Sequence, residues 1–213
     1  MSIRDILAYF ETLLRAADTT VSYARKWAAD IESEELASIV VRHACTAAVT
    51  GMGAGVLPGI GALISGGISV GAIWHMYYAV GKYLRIGFNV DMLKAAAAAI
   101  LSNIVNQLWG VLLLEFAATL VPFLSIPATG FIFFGITYVS GLMFLLTLSR
   151  IFRAGGNPSS MTAEEMRAKA EEAAHEMNLR DEFMNTKDVF HKMRKDGSLD
   201  DNSRGVDIES ETV

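Results

Sequence analysis

Between Ser38 and Arg153 the chain carries only six cations (Arg42, Lys82, Arg85, Lys94, Arg150, Arg153) and two anions (Asp91, Glu115). A water-soluble domain shows charged side chains on every face, and a block this long with so few of them cannot do so. The polar residues sit at the ends. Residues 1–37 hold seven acids against four bases, and residues 154–213 hold fourteen against eight, so the flanks carry −9 and the block +4, for a net charge of −5. With 52% hydrophobic residues and a mean hydropathy of +0.35, the pattern predicts an all-α integral membrane protein with polar flanking helices.

The block divides into four apolar segments, about 39–57, 60–81, 95–121 and 128–149. Each approaches or exceeds the ~20 residues that cross a ~30 Å hydrocarbon layer. Two breaks, Leu57-Pro58-Gly59 and "VPFLSIPATG" (121–130), are short and uncharged, whereas "KYLRIGFNVDMLK" (82–94) is polar and net basic. Four crossings put Arg42, the 82–94 loop and Arg150/Arg153 on one side and both uncharged loops on the other, as the positive-inside rule requires. The expectation is two helical hairpins in the inner membrane, turning at Pro58, Gly59, Pro122 and Pro127, with both termini cytoplasmic. The start, "MSIRDILAYFETLLRAAD", has neither the apolar core nor the cleavage pattern of a signal peptide. Only fifteen residues separate Arg42 from Pro58, about 22 Å of helix, so hairpins that turn back inside the bilayer stay open beside full crossings.

The flanks read as helices. Ile3, Ile6, Leu7, Phe10, Leu13 and Leu14 recur at helical spacing in an amphipathic segment over 1–37. In the 154–196 region Thr162 and Glu165 form a capping-box signature, followed by Met166, Ala170, Ala173 and Met177, with Phe183, Phe190 and Met193 extending the stripe. Residues 197–213 are polar, acidic and expected to be disordered. Such a tail suits a soluble partner better than an anionic leaflet.

Gly51, Gly55, Gly59, Gly67 and Gly71 stand at spacings of four, which lets helices in lipid approach backbone to backbone. A phosphate-binding loop is the competing reading, but no Gly-Lys-Ser/Thr follows these glycines. The candidate polar site inside the block is His75, Asn103, Asn106, Gln107 and Glu115. Ionisable and amide groups are costly in lipid and tend to mark function, although interhelical hydrogen bonding uses the same residues. Packing of segments two and three would bring His75 to the Asn103/Asn106 face. No arrangement for nucleophilic, metal or general acid–base catalysis emerges: Cys45 is the only cysteine, and His43 stands two residues from it, off its helical face. No enzyme activity, cofactor, metal or nucleic-acid partner is expected. Asp200, Asn202, Gly205 and Glu211 fit part of a calcium loop, but Arg204 occupies a ligand position and Asp207 the apolar one.

"AAVTGMGAGVLPGIGALISGGISVGAIWHMYYAVGKYLRIGF" resembles the first hairpin of an uncharacterised bacterial double-hairpin membrane-domain family, and "LVPFLSIPATGFIFFGITYVSGLMFLLTLSRIF" is similar to its second. The resemblance covers roughly residues 38–153. It implies the hairpin architecture and, because the family's domain often follows an Era-like small GTPase domain, a GTPase acting in trans as a partner. Two functions follow as expectations. One is a non-enzymatic scaffold, docking or membrane-shaping protein that self-associates through its glycine-rich hairpins in the lipid and presents its cytoplasmic helices to a soluble partner. The other is a small homo-oligomeric channel or transporter whose polar intramembrane residues line a path.

Overall fold

The computed structural model describes residues 33–54, 61–118 and 125–204. The architecture is all-helical: α1 (Ser33–Ala54), α2 (Gly61–Tyr83), α3 (Val90–Ala118), α4 (Ser125–Arg153), a 3₁₀ turn (Pro158–Ser160), α5 (Ala163–Glu176), α6 (Leu179–Asp196) and α7 (Ser198–Ser203). Three of these, α1, α3 and α4, are long and apolar enough to cross a membrane. The chain is thus a helical protein of membrane type, with the four expected apolar segments present as α1 to α4. The expected amphipathic helix over 1–37, up to residue 32, and turn residues Pro58, Gly59 and Pro122 lie outside the described residues.

Contacts across the bundle fix the helix directions. His43 of α1 meets His75 of α2, Gly141 of α4 meets Val40 of α1 and Met76 of α2, and Gly51 of α1 meets Phe133 of α4. Advancing along α1 therefore means retreating along α4, while α2 runs with α4. Arg42, Lys82 and Arg150 consequently lie in the same half of the bundle, with Arg42 the deepest, near the level of Gly141. Arg42 turns back along its own helix to Glu35, 2.7 Å away, which answers its charge without a partner helix. The turn after α2 is built from the backbone. Arg85 adopts a left-handed conformation (φ 55°), and the Ile86 N–H closes onto the Gly81 carbonyl at 2.8 Å, satisfying a helix-end acceptor.

Several boundaries move. A single helix runs from Ser33 to Ala54 through the expected break at 37/38. Pro127 lies within the first turn of α4 rather than in a hairpin turn, where its missing N–H would have had no intrahelical acceptor anyway. Residues 198–203 form α7 within the stretch expected to be disordered. Gly197, at φ 80°, ends α6 in a conformation that glycine adopts without steric cost, and this reversal buries Leu199.

The C-terminal helices do not stand apart from the apolar block. Met166, Ala170, Ala173, Phe183, Phe190 and Met193 are buried, as the sequence stripe anticipates, while Met177 of that stripe is half-buried and Ala174 and Leu179 are buried beside it. What they bury against is the membrane-length helices. Phe183 and Phe190 sit 5.0 and 6.0 Å, ring to ring, from Phe131 of α4, and Thr46 of α1 donates to the Ser203 carbonyl at 3.2 Å. Arg150 pairs with Glu172 and Glu176.

The start of α5 has the full capping box: Glu165 N–H donates to Thr162 Oγ1, and Thr162 N–H to the Glu165 carboxylate at 2.7 Å. Those bonds hold the Glu165 carboxyl below its usual range. The Lys169 hydrogen bond, and then the Lys169 and Arg150 charges, do the same for Glu172. Depressed carboxyls contribute stability above their unfolded values and lose it as pH falls through the folded ones. Glu182 has the opposite sign: burial, with Asp181 beside it, raises its pKa, so protonation there favours the fold. On α6 one group is raised (Glu182) and one, Asp196, is held down at about 2 by hydrogen bonds from Ser198, so the two depressed groups of α5 predict that its amides lose exchange protection below about pH 4 before those of α6. Simultaneous loss in both helices would contradict this.

Candidate functional site

Among the described residues, the polar pair across the α1–α2 contact is built from His43 and His75. His43 Nδ1 lies 2.7 Å from the Ile39 carbonyl, one turn back on α1. A carbonyl only accepts, so Nδ1 carries the proton and Nε2 of the neutral ring is an acceptor. Nε2 lies 2.9 Å from His75 Nδ1, which must then donate. One tautomer of each ring follows, and His75 Nε2 is left as the outer acceptor of a short relay running from α2 to the backbone of α1. The rings are 5.2 Å apart and tilted by 33°. His43 is buried and His75 half-buried.

The other expected polar residues do not join them. Asn103 donates to the Ala99 carbonyl of its own helix at 2.9 Å, and Gln107 reaches the Ala174 carbonyl of α5 at 3.4 Å. Asn106 is exposed, with no hydrogen-bond partner among the described residues. Glu115 falls in α3, but its side chain lies outside the described residues. His43 itself was missed. The available signal was depth: His43 is ten residues from the start of α1 and His75 eight from the end of α2, so antiparallel packing brings them level.

Nearby, Tyr77 is fully buried with its hydroxyl 2.6 Å from Ser140 Oγ and its ring stacked 4.0 Å from Phe144. This bond joins α2 to α4 and satisfies two polar groups that would be costly to bury alone. Among the described residues no three His, Cys, Asp or Glu side chains are grouped to hold a metal ion, and the Cys45 thiol is buried. The histidine relay can hold and orient a proton.

The glycines divide by use. Gly51 packs against Phe133 within the chain, whereas a Cβ on Gly71 would meet open space. Gly67 lies in α2 with its surroundings outside the described residues, as are Gly55 and Gly59 altogether. The tight contacts also fall on glycines of α4 that the spacing rule passes over: Gly130 against Met52 and Phe190, Gly135 against Phe183, and Gly141 against Val40 and Met76.

One further surface stands out. Ala98, Ser102, Asn106 and Gly110 are spaced by four along α3, and all four are exposed. Val105, Trp109 and Leu113 share that outward face, at 42%, 59% and 48% exposure, high values for large apolar side chains. The face presents small residues, apolar flanks and an amide in one line. Compared with protein-family models, curated proteins and solved structures, the chain matches none, so the double-hairpin resemblance rests on the quoted residues alone.

Proposed function

We propose that this chain is a non-enzymatic membrane scaffold whose copies associate in the bilayer through the outward face of α3. The observation that carries the reading is Asn106. On a helix long and apolar enough to cross a membrane, an amide without a partner is costly in hydrocarbon. A second copy supplies both a donor and an acceptor, and Ala98, Ser102 and Gly110 on the same line let the backbones approach. Of the hairpin glycines expected to drive self-association, Gly51 is already used inside the chain, whereas Gly71 stands beside open space and stays available to the same association. The basic half with Arg42, Lys82 and Arg150 faces the cytoplasm of the inner membrane by the positive-inside pattern. There the scaffold meets a soluble partner, of which a GTPase acting in trans is the one the resemblance implies.

The channel reading has less support. His75, Asn103 and Gln107 each have partners inside the chain, which leaves Ser102 and Asn106 as the polar groups on the outward line among the described side chains. The test is proximity between labelled copies in vesicles, by energy transfer between a donor and an acceptor population. Asn106→Leu is expected to weaken association about three- to thirtyfold, as one interhelical amide bond in lipid does. Wild-type copies that stay monomeric at every lipid ratio defeat the scaffold reading, and ion flux that Asn106→Leu abolishes favours the channel.

A further inference from the structure

The geometry points to α5 and α6 as a displaceable cover over α3 and α4: the cover must leave for those two helices to enter a bilayer, and its freed apolar face then lies on the membrane surface. This does not rest on the scaffold reading, which concerns copies already inserted.

The argument is one of depth. α5 stands level with Arg150, to which Glu172 and Glu176 are bonded, and α6 lies deeper. Gly135 and Gly130 are fifteen and twenty residues before Arg150, about 22 and 30 Å along α4. These are the positions where α6 crosses. A Cβ on Gly135 would stand 2.5 Å from Phe183 Cε2, and one on Gly130 would stand 3.1 Å from Phe190 Cζ. If Arg150 rests at the headgroup level, α5 begins the cover there and α6 occupies the depth of a hydrocarbon layer ~30 Å thick.

α6 carries charge into it: Arg180, Asp181 and Asp188 are exposed on this helix. Lys187 stands 5.5 Å from the Phe131 ring, nineteen residues from Arg150. Charged side chains in hydrocarbon are tolerated only when they face a protein interior or water, and these face outward. Docked cover and inserted α3–α4 therefore exclude one another.

The departing helices need a new place for Leu179, Phe183, Phe190 and Met193, all of which lie buried on one side of α6. The membrane interface accepts such a face, and Lys192, Arg194 and Lys195 at the end of α6 suit anionic headgroups. A short contact holds the far end of the cover in place: α7 lies on α1 through Leu199 and the Thr46–Ser203 bond. With the chain itself tethering residue 153, fastening residue 203 to α1 locks the cover at both ends.

The experiment uses the full chain with Cys45→Ala, Thr46→Cys and Ser203→Cys, oxidised to a disulfide and then presented to vesicles of phosphatidylcholine and phosphatidylglycerol. The fraction resisting alkaline extraction is expected to fall about tenfold in the oxidised protein, as a locked equilibrium requires, and to recover on reduction. Independently, Gly135→Leu places a side chain into Phe183 and is expected to raise insertion, whereas Gly71→Leu, beside open space, leaves it unchanged. Equal insertion of the oxidised and reduced proteins overturns the proposal. So does failure of the two thiols to join before vesicles are added, since the docked cover would then not be the lipid-free state.

Discussion

Phe190→Ala is expected to cost about 3–5 kcal/mol, the range for removing a fully buried aromatic ring. The site has little room to collapse. Phe190 is fully buried, its ring lies 6.0 Å from Phe131 and 5.7 Å from Phe134, and Gly130 admits its edge because no Cβ stands there. All of these neighbours belong to α4, so the lost contacts are those between α6 and the apolar block. Unfolding of the purified chain in mild detergent, followed by circular dichroism against denaturant, measures the loss. A cost under about 1 kcal/mol, typical of a surface position, would show that α6 is not packed as described. Met184, one residue from Phe183 but 42% exposed, serves as the control.

Gly141→Leu should be at least as damaging, for the opposite reason. A Cβ at 141 would stand 2.7 Å from Val40 Cγ1 and 2.9 Å from Met76 Sδ, and both neighbours are fully buried. The new side chain enters where α1, α2 and α4 meet, and none of the three can move without disturbing the others. Overpacking of this kind costs about 1–3 kcal/mol and more where the backbone must shift. Here the added side chain is four carbons rather than one methylene. We expect loss of the cooperative melt, or of the folded protein altogether. Gly141→Ala should be milder but still destabilising. An unchanged melt for Gly141→Leu would mean that the three helices do not converge there.

The helical segments were legible in the sequence because their signal is additive. Each apolar run is long, its breaks carry turn residues or charge, and no single contact is needed to recognise it. The α5 cap was equally legible, since Thr162 and Glu165 satisfy each other locally. Pro127 was misplaced because proline marks both turns and first helical turns, and sequence alone does not separate the two. The pairing of His75 was misassigned for a different reason. The segment-two and segment-three hairpin was assumed to dominate, whereas α2 makes its polar contacts with α1 and α4. Spacing also identified glycines without identifying their neighbours: Gly135 and Gly141 are tight because Phe183, Val40 and Met76 happen to reach them. The buried stripe on α5–α6 was visible as a stripe. Its destination was not, because an amphipathic face records that something covers it and not what.

The position of the cover at the end of the chain has a temporal meaning. Helices α1 to α4 are complete at Arg153, and α7 ends at Ser203, so fifty more residues must be made before the last contact with α1 exists. At roughly 5–20 residues per second this takes about 3–10 seconds. During that interval α1 and α2 can pack on α4, but the faces of α3 and α4 that α5 and α6 bury have nothing of their own chain to cover them. An insertion apparatus present at the exit meets bare hydrophobic hairpins, while a chain released in its absence has time to wrap itself. The order of synthesis, rather than the sequence of any one helix, thus sets which environment those helices encounter first.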